Sequence, residues 1–418
     1  MARAARQPFR VYRVGGSVRD ELLGRAGGDR DWVVVGATPE LLTASGYKPV
    51  GSDFPVFLHP DTREEYALAR TERKHGRGYR GFEFFASPEV TLEDDLARRD
   101  LTINAMARDE QGRLIDPHGG EADLRAGVLR HVSPAFVEDP LRVLRVARFA
   151  ARLGFVVAPR TQRLMREVAA SGELATLAPE RVWQELARGL AEDHPSRMIQ
   201  VMHACGALAQ LLPEVDALFG VRAAGRRNMD AGTHLARALD WAASHQLTLP
   251  ARYAVLTHDY AASMVVEDDP RSSHTGAWRS RVRRADAISA RLKVPTECRD
   301  AARLLARWKW VIDRVDRYTP ASILGLLQVA DAWRRPERLD ALLTASAAIA
   351  SSIRGAPADY VPARLLRDAL QAARSVDAGA HARLVSNKHA GHGRNVAIGK
   401  AVRAARLAAL RDWRRTLE

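Results

Sequence analysis

The pattern of apolar residues changes from strand-like to helical near Leu124, and this change restricts the folds open to the chain. Before it, short runs rich in β-branched and aromatic residues are broken by Gly, Pro or Asp, as in strands. After it, apolar residues recur at helical spacing. The predicted strands are 9–14, 32–35, 55–59, 65–69 and 82–85, with short helices at 17–23, 39–45 and 92–98.

The second part of the chain predicts helices only. They cover 141–153, 162–169, 181–191, 197–205, 235–244, 285–292, 299–311, 321–332, 339–353, 364–374 and 396–415, and Pro and Gly separate them. The sequence therefore predicts an α+β fold, with a small mixed sheet followed by an all-helical region. A basic, glycine-rich segment, 73–81, predicts a mobile loop in the first part.

The charge balance favours a polyanionic partner. Lys and Arg total 64 against 50 Asp and Glu, a formal net charge of +14, although arginine-rich proteomes show the same bias. No apolar run approaches the roughly 18 residues of a membrane span, so we expect no membrane partner. Cys205 and Cys298 lie in unrelated contexts and predict neither a disulfide nor a zinc site, which suits a reducing cytoplasm.

Two motifs near the N-terminus indicate phosphate and metal chemistry. Gly15-Gly16-Ser17-Val18-Arg19-Asp20 joins a strand to a helix, where backbone N–H groups and an arginine can bind a triphosphate. Asp29 and Asp31 alternate along a strand, so both carboxylates share one face and suit Mg²⁺. Each motif alone also fits an ordinary turn or strand end. Together they predict phosphoryl chemistry, with Glu65 as a candidate third carboxylate.

Two later arginine motifs add binding groups. Arg98 and Arg99 end a helix and Asn104 follows, so the three could clamp a triphosphate and its sugar. An alternative is a basic C-terminal cap. Asp139 and Arg142 lie one helical turn apart, with an acceptor and a donor that could meet cytosine or adenine but not guanine or uracil. The sequence alone slightly favours a capped helix with a solvated arginine face for this second pattern.

At these motifs the chain resembles the class II tRNA nucleotidyltransferases, the CCA-adding enzymes of the polymerase-β superfamily. The similarity covers most of residues 11–155 and continues thinly into 179–186 and 213–221. It is greatest to the bacterial subgroup that has an additional HD phosphohydrolase domain. The matching stretches are VGGSVRD (14–20), DRDWVVVG (29–36), DFPVFLHP (53–60), EYALARTER (65–73), TLEDDLARRDLTINA (91–105) and HVSPAFVEDPLRVLRVARF (131–149).

The resemblance implies a function and a set of site residues. The family adds C, C and A to the 3′ end of tRNA from CTP and ATP, without a nucleic-acid template. Asp29 and Asp31 would bind Mg²⁺ and act in catalysis. The nucleotide would be bound by Gly16, Arg19, Arg99, Glu138, Asp139, Arg142, Arg145 and Arg148, of which Glu138, Asp139 and Arg142 would select the base.

The resemblance also implies a domain order. We expect a nucleotidyltransferase head at 1–125, a helical neck with base recognition at 126–220, a degenerate HD-like body at 221–310 and a tRNA-binding tail at 311–418. The sequence does not indicate an oligomeric state.

The HD-type metal site departs from the family pattern. His234 and the pair His258-Asp259 remain, but the usual Gly-Lys after the pair is replaced by Tyr260-Ala261. Of the usual later histidines only His274 remains. We expect a site that binds no catalytic metal.

Two other functions agree with the same motifs. A class II poly(A) polymerase has nearly the same head, although such enzymes usually carry a long basic C-terminal extension. A non-catalytic RNA-binding protein is the other alternative, and the intact Asp29 and Asp31 argue against it.

We predict that tRNA binding weakens as salt rises, because the last helix carries Arg403, Arg406, Arg411, Arg414 and Arg415. Five phosphate contacts would lower affinity roughly five-hundredfold between about 50 and about 200 mM salt. Filter binding across this range measures the slope. A flat affinity would mean that the arginine face is only solvated.

Overall fold

The computed structural model describes residues 9–25, 30–50, 56–74, 82–223, 229–258, 277–354, 359–386 and 394–417. The chain divides into two compact units, 1–213 and 214–418. The finer division into four domains stays a prediction. No helix within the described ranges is long and apolar enough to cross a membrane.

The first unit contains a seven-stranded mixed sheet. Its strand order is β3-β4-β5-β2-β1-β8-β9, and β2 and β5 run parallel while the other neighbours run antiparallel. The strands of the unit are β1 (Arg10–Val14), β2 (Asp31–Val35), β3 (Lys48–Val50), β4 (Val56–Leu58), β5 (Glu65–Leu68), β6 (Arg70–Lys74), β7 (Phe82–Ala86), β8 (Ala107–Arg108), β9 (Leu114–Ile115), β10 (Val128–Leu129) and β11 (Val156–Val157).

Apolar side chains cover both faces of this sheet. Successive residues of a strand point to opposite faces, and in β2 the neighbours Val33 and Val34 belong to two different buried clusters. One cluster includes Phe57 and Leu42, and the other includes Leu96. The central strand is therefore held from both sides, which fixes the position of its first residue, Asp31.

Helices make up the rest of the first unit. Helix α5 packs on α7 and α8. Its ends are defined by the Asp139 carboxylate, which accepts from the Leu141 N–H at 3.0 Å, and by Gly154, which has a φ of 72°. The helices are α1 (Gly16–Leu22), α2 (Pro39–Ala44), α3 (Leu92–Ala97), α4 (Gly120–Ala126), α5 (Leu141–Leu153), α6 (Pro159–Ala170), α7 (Pro179–Ala191), α8 (Pro195–Ala204), α9 (Ala207–Leu211) and α10 (Pro213–Asp216), which ends in the second unit.

Apart from an isolated bridge between Arg222 and Asp230 and the connecting turns, the described residues of the second unit form helices. Two arginines of its last helix contribute to packing, since Arg406 lies 4.1 Å above the Trp333 ring and Arg414 donates to the Val315 carbonyl at 2.9 Å. The helices are α11 (Ala231–Ser244), α12 (Leu249–Thr257), α13 (Ala277–Arg291), α14 (Thr296–Asp313), α15 (Pro320–Val329), α16 (Pro336–Arg354), α17 (Val361–Arg374), α18 (Ala378–Ser386) and α19 (Arg394–Arg415).

The predicted fold class is confirmed, but several details of the prediction are wrong. The elements that it missed include β3, β6, β8, β9, α4, α9, α10 and α18. The region predicted to be only helical contains the two-residue strands β10 and β11, which pair in parallel. The prediction also missed α12, which buries nearly all of its residues. The predicted loop 73–81 begins too early, because Arg73 and Lys74 belong to β6 and pair with β7. Residues 75–81 lie outside the described ranges.

We predict that Gly120→Ala destabilises the first unit. A Cβ at Gly120 would lie 2.2 Å from the main-chain oxygen of Thr102. Helix α4 would therefore have to move away from the 3₁₀ turn Thr102–Asn104. Overpacking of this kind costs on the order of 1–3 kcal/mol. Urea unfolding measures the loss. Glu121→Ala, which removes only a partly exposed ion pair, is the matched control and should change stability by less than about 0.5 kcal/mol.

Candidate functional site

A glycine turn brings the first motif beside Asp31. Val14, the last residue of β1, pairs in register with Asp31 at the start of β2. The chain then turns at Gly15, whose φ of 70° favours glycine, and α1 begins at Gly16. A Cβ at Gly15 would lie 2.8 Å from Nη1 of Arg99. Glycine therefore allows the Arg99 guanidinium to approach the main chain of the turn.

This turn borders a cavity of about 680 Å³ in the first unit. Its lining is strongly basic, and a cavity of this size can hold a nucleotide. Of the residues described in this unit, ten arginines and three aspartates line it: Arg19, Arg70, Arg98, Arg99, Arg142, Arg145, Arg148, Arg152, Arg181, Arg188, Asp31, Asp100 and Asp139.

The buried carboxylate of Asp95 holds two of these arginines. Its oxygens accept from Nη2 of Arg98 at 2.7 Å and from Nη2 of Arg99 at 3.0 Å. Burial by itself would raise the pKa of Asp95, but the two guanidinium groups outweigh burial and lower it. Asp95 therefore stays ionised and fixes both arginines at the end of α3.

A chain of hydrogen bonds joins the glycine turn to α5. Arg19 is 3% exposed and donates to Asp20 at 2.9 Å and to the side-chain oxygen of Asn104. Asn104 donates to Asp100 at 3.0 Å, and Asp100 accepts from Nε of Arg145 at 2.7 Å. Although burial opposes ionisation, Arg145 and the Asn104 hydrogen bond lower the pKa of Asp100 to about 2.

Helix α5 contributes two further arginines that are buried. Arg142 donates to the main-chain oxygens of Ala135 at 2.9 Å and Arg98 at 2.6 Å. Arg148 forms an ion pair of 2.6 Å with Glu185 of α7. The arginine face of α5 is therefore not merely solvated, because it binds the preceding turn and a neighbouring helix.

One aromatic ring lies among the guanidinium groups. The Arg148, Arg19 and Arg145 guanidinium carbons are 4.5, 5.0 and 5.9 Å from the centre of the Phe149 ring. The negative face of such a ring attracts a cation. Phe149 therefore helps to keep these arginines close together.

Most of the residues predicted for the site meet in this cavity. Glu138 ends a 3₁₀ turn, Pro134–Glu138, and is not among the lining residues. Asp29 lies outside the described ranges. The predicted residues that line the cavity are Gly16, Arg19, Asp31, Arg99, Asp139, Arg142, Arg145 and Arg148.

Several lining residues were not predicted. Arg152 continues the spacing of the α5 arginines, so helical periodicity could have identified it. Arg181 and Arg188 are seven residues apart on α7 and share one face, but only the fold brings that face to the cavity. Arg70 gives no signal of its own, because it lies in β6, a strand that the sequence analysis did not predict.

The carboxylate of Asp31 is suited to a divalent cation. It faces a cavity that can hold phosphates, and hard oxygen donors are the ligands of Mg²⁺. Glu65 is its register partner in the parallel pair β2–β5, so their side chains share a face of the sheet. Within the described ranges, no cluster of three or more His, Cys, Asp or Glu residues could hold a metal, and Asp29 lies outside those ranges.

The HD-type histidines lie in the second unit with basic neighbours. His234 and His258 are both buried, and Nε2 of His234 is 3.0 Å from the Ile349 carbonyl oxygen. Burial, followed by the charges of Lys309 and Arg281, holds the pKa of His258 well below its ordinary value. Asp259 and His274 lie outside the described ranges.

Family models match two parts of the first unit. Residues 11–130 match a model described as the poly A polymerase head domain. Residues 154–219 match one described as a probable RNA- and SrmB-binding site of polymerase A. Together they cover the sheet, the cavity turn and the helices that follow α5.

Curated relatives match nearly the whole chain. The chain is 55% identical to the multifunctional CCA protein of Nitrosomonas eutropha, over 92% of this chain and 93% of that protein. It is 52% identical to the multifunctional CCA protein of Pseudomonas aeruginosa, over 97% of this chain and 98% of that protein.

A solved structure extends the comparison to the fold. The Bacillus stearothermophilus CCA-adding enzyme in complex with CTP is 25% identical, with a TM-score of 0.64 over 98% of this chain and 94% of that one.

We predict little or no metal-dependent hydrolysis by the HD-type residues, because His234, His258 and Asp259 supply only three ligands and Tyr260-Ala261 replaces the usual Gly-Lys. The assay adds nickel, cobalt or manganese to the full-length protein with a 2′,3′-cyclic nucleotide. Robust hydrolysis that disappears in Asp259→Ala would overturn this prediction. Hydrolysis that persists in that variant would come from elsewhere.

Proposed function

Because this chain belongs to the family of multifunctional CCA proteins, we propose that it adds C, C and A to the 3′ end of tRNA from CTP and ATP, without a nucleic-acid template. The observation that carries the proposal is the arginine-lined cavity beside Asp31, in a chain that matches these relatives over nearly its full length. The cysteines, free and buried, suit the cytoplasm that we propose as its location.

The arginines bind and orient the triphosphate. Arg19 and Arg99 converge on the glycine turn, and Gly15 and Gly16 of that turn also line the cavity. Both guanidinium groups are held in place by other side chains before a nucleotide binds. Binding therefore costs little side-chain ordering, and the phosphates meet a preformed cationic surface.

The family is generally dependent on a divalent metal, and we propose that Asp29 and Asp31 bind Mg²⁺. Two such ions, held by these carboxylates, would assist activation of the RNA 3′-hydroxyl and stabilise the departing pyrophosphate. The chain supplies the carboxylates and holds the triphosphate beside them. The 3′-oxygen forms the new bond to the α-phosphorus, and the bond to pyrophosphate breaks.

Asp139 and Arg142 are proposed to select the base. Both line the cavity, and hydrogen bonds to two carbonyl groups hold the Arg142 guanidinium. One carboxylate oxygen of Asp139 accepts from the Leu141 N–H, and the other is 3.9 Å from Arg181. This anchoring favours a fixed edge, with a donor from Arg142 and an acceptor from Asp139. Cytosine and adenine are complementary to that edge, whereas guanine and uracil would leave polar groups unpaired.

The decisive experiment uses three tRNA substrates, which lack the terminal CCA, the terminal CA and the terminal A. Each is incubated with the pure protein and with each labelled nucleotide separately. We expect CTP to extend the first two substrates and ATP to extend the third, with no further addition. Repeated addition of A to mRNA would favour a poly(A) polymerase. No addition to any acceptor would favour a non-catalytic RNA-binding protein.

We predict that Asp31→Ala or Asp29→Ala abolishes nucleotide incorporation while the fold stays intact, because each removes a ligand of the proposed metal pair. Incorporation at saturating tRNA and circular dichroism are the measurements. Asp61→Ala, at an exposed turn of the same unit, is the control. Incorporation within a few-fold of wild type would rule out the metal assignment.

We predict that Asp139→Ala or Arg142→Ala relaxes base choice more than it lowers turnover. Each lost hydrogen bond to a base edge reduces discrimination by on the order of 1–3 kcal/mol. The measurement is kcat/KM for all four nucleotides, with Arg163→Ala, an exposed position on α6, as control. If GTP and UTP stay excluded as strongly as before, base selection lies elsewhere.

A further inference from the structure

The second unit contains a cavity that the proposed reaction does not use. It has a volume of about 490 Å³, within the range of ligand sites. Helices α11, α16 and α17, together with the residues just before α17, enclose it. The lining residues used below are Trp241, His245, Ser351, Asp359 and Arg367.

An aromatic pair forms one wall of the cavity. The rings of Trp241 and His245 are stacked, with centres 3.7 Å apart and planes 14° apart. Nδ1 of His245 lies 2.9 Å from the Trp241 carbonyl oxygen, which fixes the imidazole at the end of α11. A rigid pair of rings is the kind of surface on which nucleobases stack.

Two residues that line this cavity each carry a buried polar atom that has no hydrogen-bond partner among the described residues. Ser351 is 3% exposed, and its hydroxyl makes no hydrogen bond to a described residue. The indole N–H of Trp241 likewise makes none. By contrast, Ser346 and Ser352 on the same helix donate to carbonyl groups of that helix, at 2.8 and 2.7 Å. A buried hydroxyl and N–H left unpaired cost free energy, and a polar ligand would remove that cost.

Charged groups at the cavity complete a polar and aromatic lining. Arg367 pairs with Asp340 at 3.1 Å, and Asp359 pairs with Arg364 at 2.6 Å, and all four side chains are at least half exposed. Exposed pairs of this kind are weak, so Arg367 can also contact a phosphate or ribose at little cost.

We propose that this cavity binds a nucleobase. The Trp241–His245 pair contacts the face of the base, and the Ser351 hydroxyl hydrogen-bonds to the edge of the base. The indole N–H lies in the plane of its own ring, so it donates to a ribose oxygen and not to the edge of the stacked base. The base has two sources, a free nucleoside or nucleotide and an unpaired base of RNA. The site goes beyond the proposed nucleotidyl transfer and does not depend on it.

Equilibrium dialysis of the full-length protein with adenosine and with cytidine tests the proposal. Tripolyphosphate is added so that the arginine-lined cavity is occupied. Ser351→Ala and Trp241→Phe each remove one hydrogen-bonding group and should weaken nucleoside binding about tenfold. Ser346→Ala, a buried serine of the same helix whose hydroxyl is already bonded, is the matched control and should bind as wild type.

A second arm measures tRNA binding by the same variants. Weaker tRNA binding with little nucleoside binding would identify an RNA base as the ligand, and weaker nucleoside binding alone would identify a free nucleoside or nucleotide. Incorporation at saturating tRNA should stay at the wild-type level in all three variants, which separates this site from the catalytic one. Unchanged binding of both ligands in Ser351→Ala and Trp241→Phe would overturn the proposal.

Discussion

Guanidinium groups that surround one cavity repel one another, and the first unit depends on the carboxylates that hold them in place. Asp95 binds Arg98 and Arg99, Asp100 binds Arg145, and Glu185 binds Arg148. Each of these acids is almost completely buried, so its charge is screened little by water. The pairs let the chain assemble a cationic surface without substrate. Because arginines outnumber aspartates in the lining, the cavity still attracts polyphosphate.

The sequence predicted those elements whose local pattern is strong. Helix α5 was predicted with its observed bounds, because its apolar face is periodic and Gly154 ends it. Helix α12 was missed because it is buried on nearly every side and shows no amphipathic period. Strands β10 and β11 are two residues each, too short for alternation to be recognised. Their pairing depends on the tertiary structure around them.

The features of the candidate site also divide into those that the sequence predicted and those that it did not. Adjacent motifs predicted most of the cavity residues, because phosphate and metal chemistry require glycine, arginine and aspartate close together in the chain. The environment of those residues was not predictable. Asp100 and Arg145 are 45 positions apart, and Arg148 and Glu185 are 37 apart, so nothing local indicates that they pair. The arginine stripe of α5 was compatible with a solvated face, and only the fold shows that it is bound on several sides.

The hydrogen-bonded path from Arg19 through Asn104 and Asp100 to Arg145 has a consequence for redesign of the specificity. A change at Arg145, one turn beyond the proposed base-reading Arg142 on α5, alters the support of Arg19 at the triphosphate, since Arg145 and Arg19 are joined through Asp100 and Asn104. Substitutions along this path should therefore be non-additive. An enzyme evolved toward another nucleotide would need paired changes on both sides of Asp100, and libraries that vary one position at a time would miss them.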